Sequence, residues 1–248
     1  MRSIAKILFL LALSNDMSGQ NRNISLNITP LTGEFYVFTT FNLYKGDRIS
    51  ANGMYLVTND GVVMFDTPWD TTQFQPLLDS IETRHHKNVV LCIATHFHED
   101  RTGGLQYYAQ KGIKTYTTRQ TDELSKKRGM KRAEFLISKD TVFTVGQYSF
   151  QTYFPGPGHA PDNIVIWFEK EKILYGGCLV KSIDFSDLGN LADANVKEYA
   201  TTIKNVQAKC KRPQYIIPGH GSWTNTNSLD HTLKMAQELK KRVNAPKE

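Results

Sequence analysis

The chain has 248 residues, 40% hydrophobic and 22% charged, an ordinary globular composition with enough apolar content for a proper core in one large domain or two small ones. Its formal charge of +6 raises the question of an anionic partner. The densest basic run, SKKRGMKR at residues 125–132, has no aromatic residues interleaved for base stacking, so it reads as a solvated helix end and loop and no nucleic acid is expected.

At the N-terminus Arg2 and Lys6 flank the short apolar segment ILFLLAL, the pattern of a secretory signal. A membrane span needs about 20 apolar residues, so no span is expected. Cleavage is expected between Ser14 and Gln20, with residues 1–19 as signal peptide and an exported, periplasmic product. Export leaves Cys92, Cys178 and Cys210 as an odd count in an oxidising compartment. Cys92 sits in the apolar run NVVLCIA and reads as a small core residue.

The first half contains two apolar runs broken by the turn signal NDG, which predicts a β-hairpin. A helix follows over residues 71–87, with Phe74, Leu77, Leu78 and Ile81 at spacings of three and four. Next comes NVVLCIAT, unbroken apolar and therefore a strand buried on both faces, ending at His96. The second half repeats this order: a hairpin turned at EKEK, a helix over VKEYATTIKNVQAKC, and the strand QYIIPGHG ending at His220. Two similar βα halves predict two packed sheets with helices outside, a four-layer αββα sandwich of the α/β class.

His96, His98, Asp100, His159, Cys178 and His220 all fall at or near the ends of these strand candidates, where loops gather on a rigid scaffold. His-x-His alone is ambiguous, but HFHEDRTGG adds the carboxylate of Asp100 and two glycines for a tight loop. In YGGC, two glycines precede Cys178, as expected where backbone approaches something closely. Three neutral imidazoles (His96, His98, His159) suit a catalytic zinc that keeps a fourth position for water, and Asp100, Cys178 and His220 suit a second. Thiolate and carboxylate together favour zinc over iron, so two Zn2+ per chain are expected.

With HFHEDR, GPGH, GGCLVK, LGN and PGHG in this order, the sequence resembles the class B metallo-β-lactamases, over nearly the whole chain beyond the signal segment. The resemblance is closest to the subclass with three histidines at one zinc and Asp, Cys and His at the other. Relatives of the same fold with other chemistries usually carry a further histidine and a bridging aspartate where this chain has Arg101 and Cys178. The resemblance implies one catalytic domain over residues 20–248 that acts as a monomer on small β-lactam substrates, penicillins, cephalosporins and carbapenems, and confers antibiotic resistance. It implies that Lys181 holds the substrate carboxylate, that Asn190 helps polarise the ring carbonyl, and that Asp100 orients the hydroxide that zinc makes available at neutral pH. Asp66 would be a buried aspartate orienting a ligand histidine, with Arg101 beside it, and residues 40–57 a hairpin over the groove.

Two rivals stay open at this point. A nuclease of the same fold would suit the basic charge but not the export signal or Cys178. A non-catalytic zinc-binding protein would need closed metal sites, whereas three histidines leave one position open.

Overall fold

The computed structural model describes residues 26–44, 46–137 and 140–244; the expected signal segment lies outside the described residues. A seven-stranded sheet runs in chain order through β1 (Asn27–Thr32), β2 (Phe35–Tyr44), β3 (Asp47–Thr58), β4 (Gly61–Phe65), β5 (Val89–Ile93), β6 (Lys114–Thr118) and β7 (Phe135–Ile137). The helices α1 (Phe74–His85), α2 (Glu99–Thr102), α3 (Leu105–Gln110) and α4 (Arg119–Arg128) belong to its connections. The second sheet is formed by β8 (Val142–Val145), β9 (Tyr148–Tyr153), β10 (Val165–Phe168), β11 (Ile173–Gly177) and β12 (Tyr215–Pro218), in spatial order from β12 to β8. The helices α5 (Val196–Lys209) and α6 (Ser228–Asn244) pack on it.

Alternation along the strands builds the layers. Val63, Phe65, Leu91 and Ile93 point inward and meet Phe150, Ile166, Phe168 and Ile217 of the other sheet. Their neighbours Val62, Met64, Cys92 and Ala94 point outward under Phe74, Leu77 and Ile81 of α1 and Leu105 and Tyr108 of α3. On the far side Val165, Trp167, Leu174 and Ile216 lie under Tyr199, Ile203 and Val206 of α5 and Met235 of α6. This is the expected αββα sandwich, and Cys92 is the expected core residue. All three cysteines are free and buried.

The internal repeat is also present. β3 and β4 pair antiparallel across Asn59 and Asp60, then α1 returns the chain so that β5 lies parallel to β4. β10 and β11 pair antiparallel, then α5 returns it so that β12 lies parallel to β11. The strand ends at Ile93, Gly177 and Pro218 therefore point the same way and deliver His96, Cys178 and His220 to one rim. Residues 40–57 form the long β2–β3 hairpin, and the basic run is the C-terminal end of α4 and the loop after its cap at Gly129. No helix among the described residues is long and apolar enough to cross a membrane.

Candidate metal centre

The rim gathers the predicted ligands into two triads. His96 Nε2 lies 3.1 Å from His98 Nδ1, and His159 Nε2 lies 3.2 Å from the same atom. In the second triad Cys178 Sγ is 3.3 Å from both Asp100 Oδ2 and His220 Nε2, and His220 Nε2 is 3.1 Å from Asp100 Oδ2. Zinc–nitrogen bonds of about 2.0 to 2.1 Å give tetrahedral edges of roughly 3.3 Å, so these spacings fit the face of a zinc tetrahedron. His96, Asp100 and Cys178 also offer donor atoms within 4.8 Å of one another, which makes the triads neighbours.

The protonation states agree with metal binding. Burial pushes His96 and His159 well below the usual imidazole range, so both keep lone pairs at neutral pH. Burial opposes the charge on Asp100, but Arg101 and the hydrogen bond from His220 outweigh it and hold the carboxyl well below its ordinary value. Burial pushes the Cys178 thiol far upward, with Arg101 opposing, so without a cation it stays protonated and donates to Asp100. The buried His159 Nδ1 has no hydrogen-bond partner among the described residues. Gly219 is required here, since a Cβ on it would lie 2.7 Å from Cys178 Sγ.

Fully buried Arg101 ties the second triad to the floor of the site. Its Nε and Nη2 donate to Asp100 Oδ2 at 3.0 and 2.9 Å, Nη1 to the Asn52 carbonyl at 2.6 Å, and Nη2 to the Gly219 carbonyl at 2.9 Å. Nη1 also reaches Asp66 Oδ2 at 3.4 Å. Asp66 departs from the expectation that it orients a ligand histidine. It follows β4 with a left-handed φ of 62°, and this turn aims its carboxylate at Thr95 N and Oγ1, at the Tyr175 hydroxyl and at Arg101. Its nearest link to the histidines is the backbone of Thr95, the residue before His96.

Removing one partner of such a buried cluster strands the other charges. Arg101→Met should cost the metal-free protein about 3 to 5 kcal/mol in chemical denaturation with chelator present. The loss should shrink with zinc bound, because a cation again faces Asp100. A loss below about 1 kcal/mol in chelator would show that the two carboxylates do not depend on Arg101.

Several participants carry no local signal in the chain. Asp193 Oδ2 accepts from His98 Nε2 at 3.1 Å, which leaves Nδ1 as the metal-facing atom, and Arg128 holds its other oxygen at 2.7 Å. The Ser50 carbonyl accepts from His220 Nδ1. Asn52 donates to the carbonyls of Pro218 and Gly221, clamping the loop that bears His220. At the rim Trp69 meets the His220 ring edge-on and Tyr44 of the β2–β3 hairpin packs on Trp69.

Lys181 is not solvated surface, the ordinary fate of a lysine past a strand end: it is only 7% exposed. Burial lowers its pKa, while Cys178 and Asp100 pull it back up. Among the described residues nothing makes an ion pair or hydrogen bond with its Nζ. Asn190 is exposed, and its Oδ1 accepts from the Ala192 N–H at 3.1 Å. It lies on the segment that Asp193 ties to His98, three residues away.

One further buried acid lies beneath His98. Asp162 is fully buried, neither oxygen has a partner of ordinary geometry, and burial pushes its pKa up to about 6, with the Thr121 hydroxyl opposing. A carboxyl raised in the folded state stabilises below its unfolded value of about 3.9 and loses that contribution as pH rises through about 6. Asp162→Asn should therefore match the wild type near pH 4 and gain stability over it by roughly 2 to 3 kcal/mol by pH 7. Denaturation at both pH values checks this, and a pH-independent difference would contradict it.

The metallo-beta-lactamase superfamily profile matches residues 46–220. The chain is 39% identical over 244 residues to a type 2 metallo-beta-lactamase of Elizabethkingia meningoseptica, covering 97% of this chain and 98% of that one. It is 40% identical over 234 residues to metallo-beta-lactamase IND-1 of Chryseobacterium indologenes, covering 94% and 98%. The crystal structure of metallo-beta-lactamase IND-7 superposes with a TM-score of 0.82 at 42% identity, covering 86% of this chain and 98% of that one. The two adjoining donor triads, the αββα frame that places them and this likeness along nearly the full length agree: the chain belongs to the class B metallo-β-lactamases.

Proposed function

We propose that the protein hydrolyses the ring amide of β-lactam antibiotics, penicillins, cephalosporins and carbapenems, with two zinc ions per chain. The observation that carries this reading is the pair of adjoining triads, His96/His98/His159 and Asp100/Cys178/His220, beside a buried lysine that makes no ion pair among the described residues. Zinc held there supplies Lewis acidity and a bound water acidic enough to attack at neutral pH. A β-lactam amide is strained, so the chain's own residues have mainly to bind, orient and handle charge. Asp100, kept ionised by Arg101, is the carboxylate that orients the attacking water. Asn190, whose carboxamide oxygen is tied to Ala192, has its NH2 as the donor to the carbonyl oxygen as charge develops there.

Lys181 anchors the substrate carboxylate. A buried ammonium that makes no ion pair among the described residues gains from a ligand that brings a carboxylate into contact with it. We assign residues 1–19 to an export signal and residues 20–248 to one catalytic domain that acts as a periplasmic monomer and confers resistance.

Lys181→Ala tests the anchor. It removes an interaction present in both ground and transition states, so KM should rise more than kcat falls. A charge-assisted hydrogen bond of about 1.5 to 3 kcal/mol corresponds to a roughly ten- to hundredfold loss in kcat/KM. Lys181→Arg should retain part of it, and zinc content should not change. An unaltered KM for every β-lactam tested would remove the anchoring role.

A further inference from the structure

β11 ends at Gly177, so no strand ladder fixes the backbone of residues 179–182, although this stretch sets where Lys181 stands relative to Cys178. Beside the turn bonds from Val180 N–H to the Gly177 carbonyl at 3.3 Å and from Phe185 N–H to the Ser182 carbonyl at 3.2 Å, side chains from the outer helices hold it. Tyr199 of α5 donates its hydroxyl to the Leu179 carbonyl at 2.8 Å. Thr232 of α6, fully buried, accepts the Lys181 N–H through Oγ1 at 2.8 Å and donates its own proton to the Ser228 carbonyl at 2.6 Å. The adjacent His231 places Nε2 2.7 Å from the Phe185 carbonyl, so two consecutive residues of one helix bolt both ends of the 181–185 segment.

We infer that Thr232 is a positioning residue for substrate binding: its hydroxyl couples the first turn of α6 to the Lys181 backbone and so fixes the lysine's ammonium at the distance from Cys178 that a substrate carboxylate requires. This rests on the reading of Lys181 as the carboxylate anchor. A long side chain on an unpinned backbone samples many positions, and ordering it on binding has an entropic cost. Thr232 removes part of that cost before substrate arrives. The hydroxyl acts in both directions, accepting from the Lys181 N–H and donating to the Ser228 carbonyl, and a methyl group can do neither.

The experiment is a double-mutant cycle on the zinc-loaded protein with benzylpenicillin as substrate. Thr232→Val keeps the shape and deletes the hydroxyl. It should raise KM about two- to tenfold, the equivalent of one hydrogen bond's net worth, with kcat within about twofold and zinc content unchanged. Thr232→Ser restores the hydroxyl and should restore KM. In a Lys181→Ala background Thr232→Val should have no further effect on KM, because the group it positions is gone. If Lys181→Ala raises KM but Thr232→Val is silent, raises KM equally in both backgrounds or is not rescued by serine, the positioning role is overturned while the anchor stands. If Lys181→Ala leaves KM unaltered, the anchor falls and this inference falls with it.

Discussion

Cys178→Ser is expected to take bound zinc from about two ions per chain to about one, and to lower affinity at the Asp100/Cys178/His220 triad by more than about a hundredfold. The ion lost should be the one at that triad. Sulfur offers a soft, polarisable donor at about 2.3 Å, and a neutral hydroxyl in its place is a weak ligand that cannot easily shed its proton. In the folded chain burial already resists ionisation of the Cys178 thiol, and Arg101 works against that resistance. A metal cation completes what Arg101 begins, whereas a serine hydroxyl, far less acidic than a thiol, stays protonated beside Asp100. The three-histidine triad has no bond to Cys178 and should keep its metal, since its orientation comes from Asp193 on His98. Metal analysis after dialysis, together with β-lactam turnover, reads both effects. Unchanged metal content would return Cys178 to an ordinary buried cysteine.

The residues of the two triads were legible because their signals are local: two histidines and an acid within five positions, a cysteine after two glycines, a histidine closing a strand. The sandwich was legible for a related reason, since the unbroken apolar run Val62–Phe65, buried on both faces, and the spacing of three and four in Phe74, Leu77 and Ile81 are written into contiguous runs. The supporting contacts were not. Asp193 reaches His98 across 95 positions, Asn52 reaches Pro218 across 166, and Thr232 reaches Lys181 across 51, and nothing in the intervening chain marks these pairs.

Asp66 shows the other limit. Its burial was foreseen, but its contacts depend on a left-handed backbone angle after β4, uncommon for any residue but glycine and not announced by the sequence. Lys181 illustrates a third case. Composition and spacing favour solvent for such a residue, and its burial comes from distant parts of the chain, Thr232 of α6 among them.

The rival readings separate on these contacts. A purely structural metal site closes its coordination with protein ligands, but the first triad groups three nitrogens with no fourth donor among the described residues. Nuclease chemistry would draw on a basic binding face, yet the basic run at residues 125–132 is the end of α4, with Arg128 spent on Asp193 and Arg132 on Asp122.

The most direct measurement of the central claim is the rate at which the purified protein opens a chromogenic cephalosporin, recorded before chelation, after exhaustive chelation, and after zinc is returned. The account predicts robust hydrolysis at the start, loss of essentially all of it once metal is removed, and recovery as zinc is added back, complete near two equivalents per chain. Hydrolysis that survives with no metal bound, or metal-loaded protein that leaves the β-lactam ring intact, would contradict it.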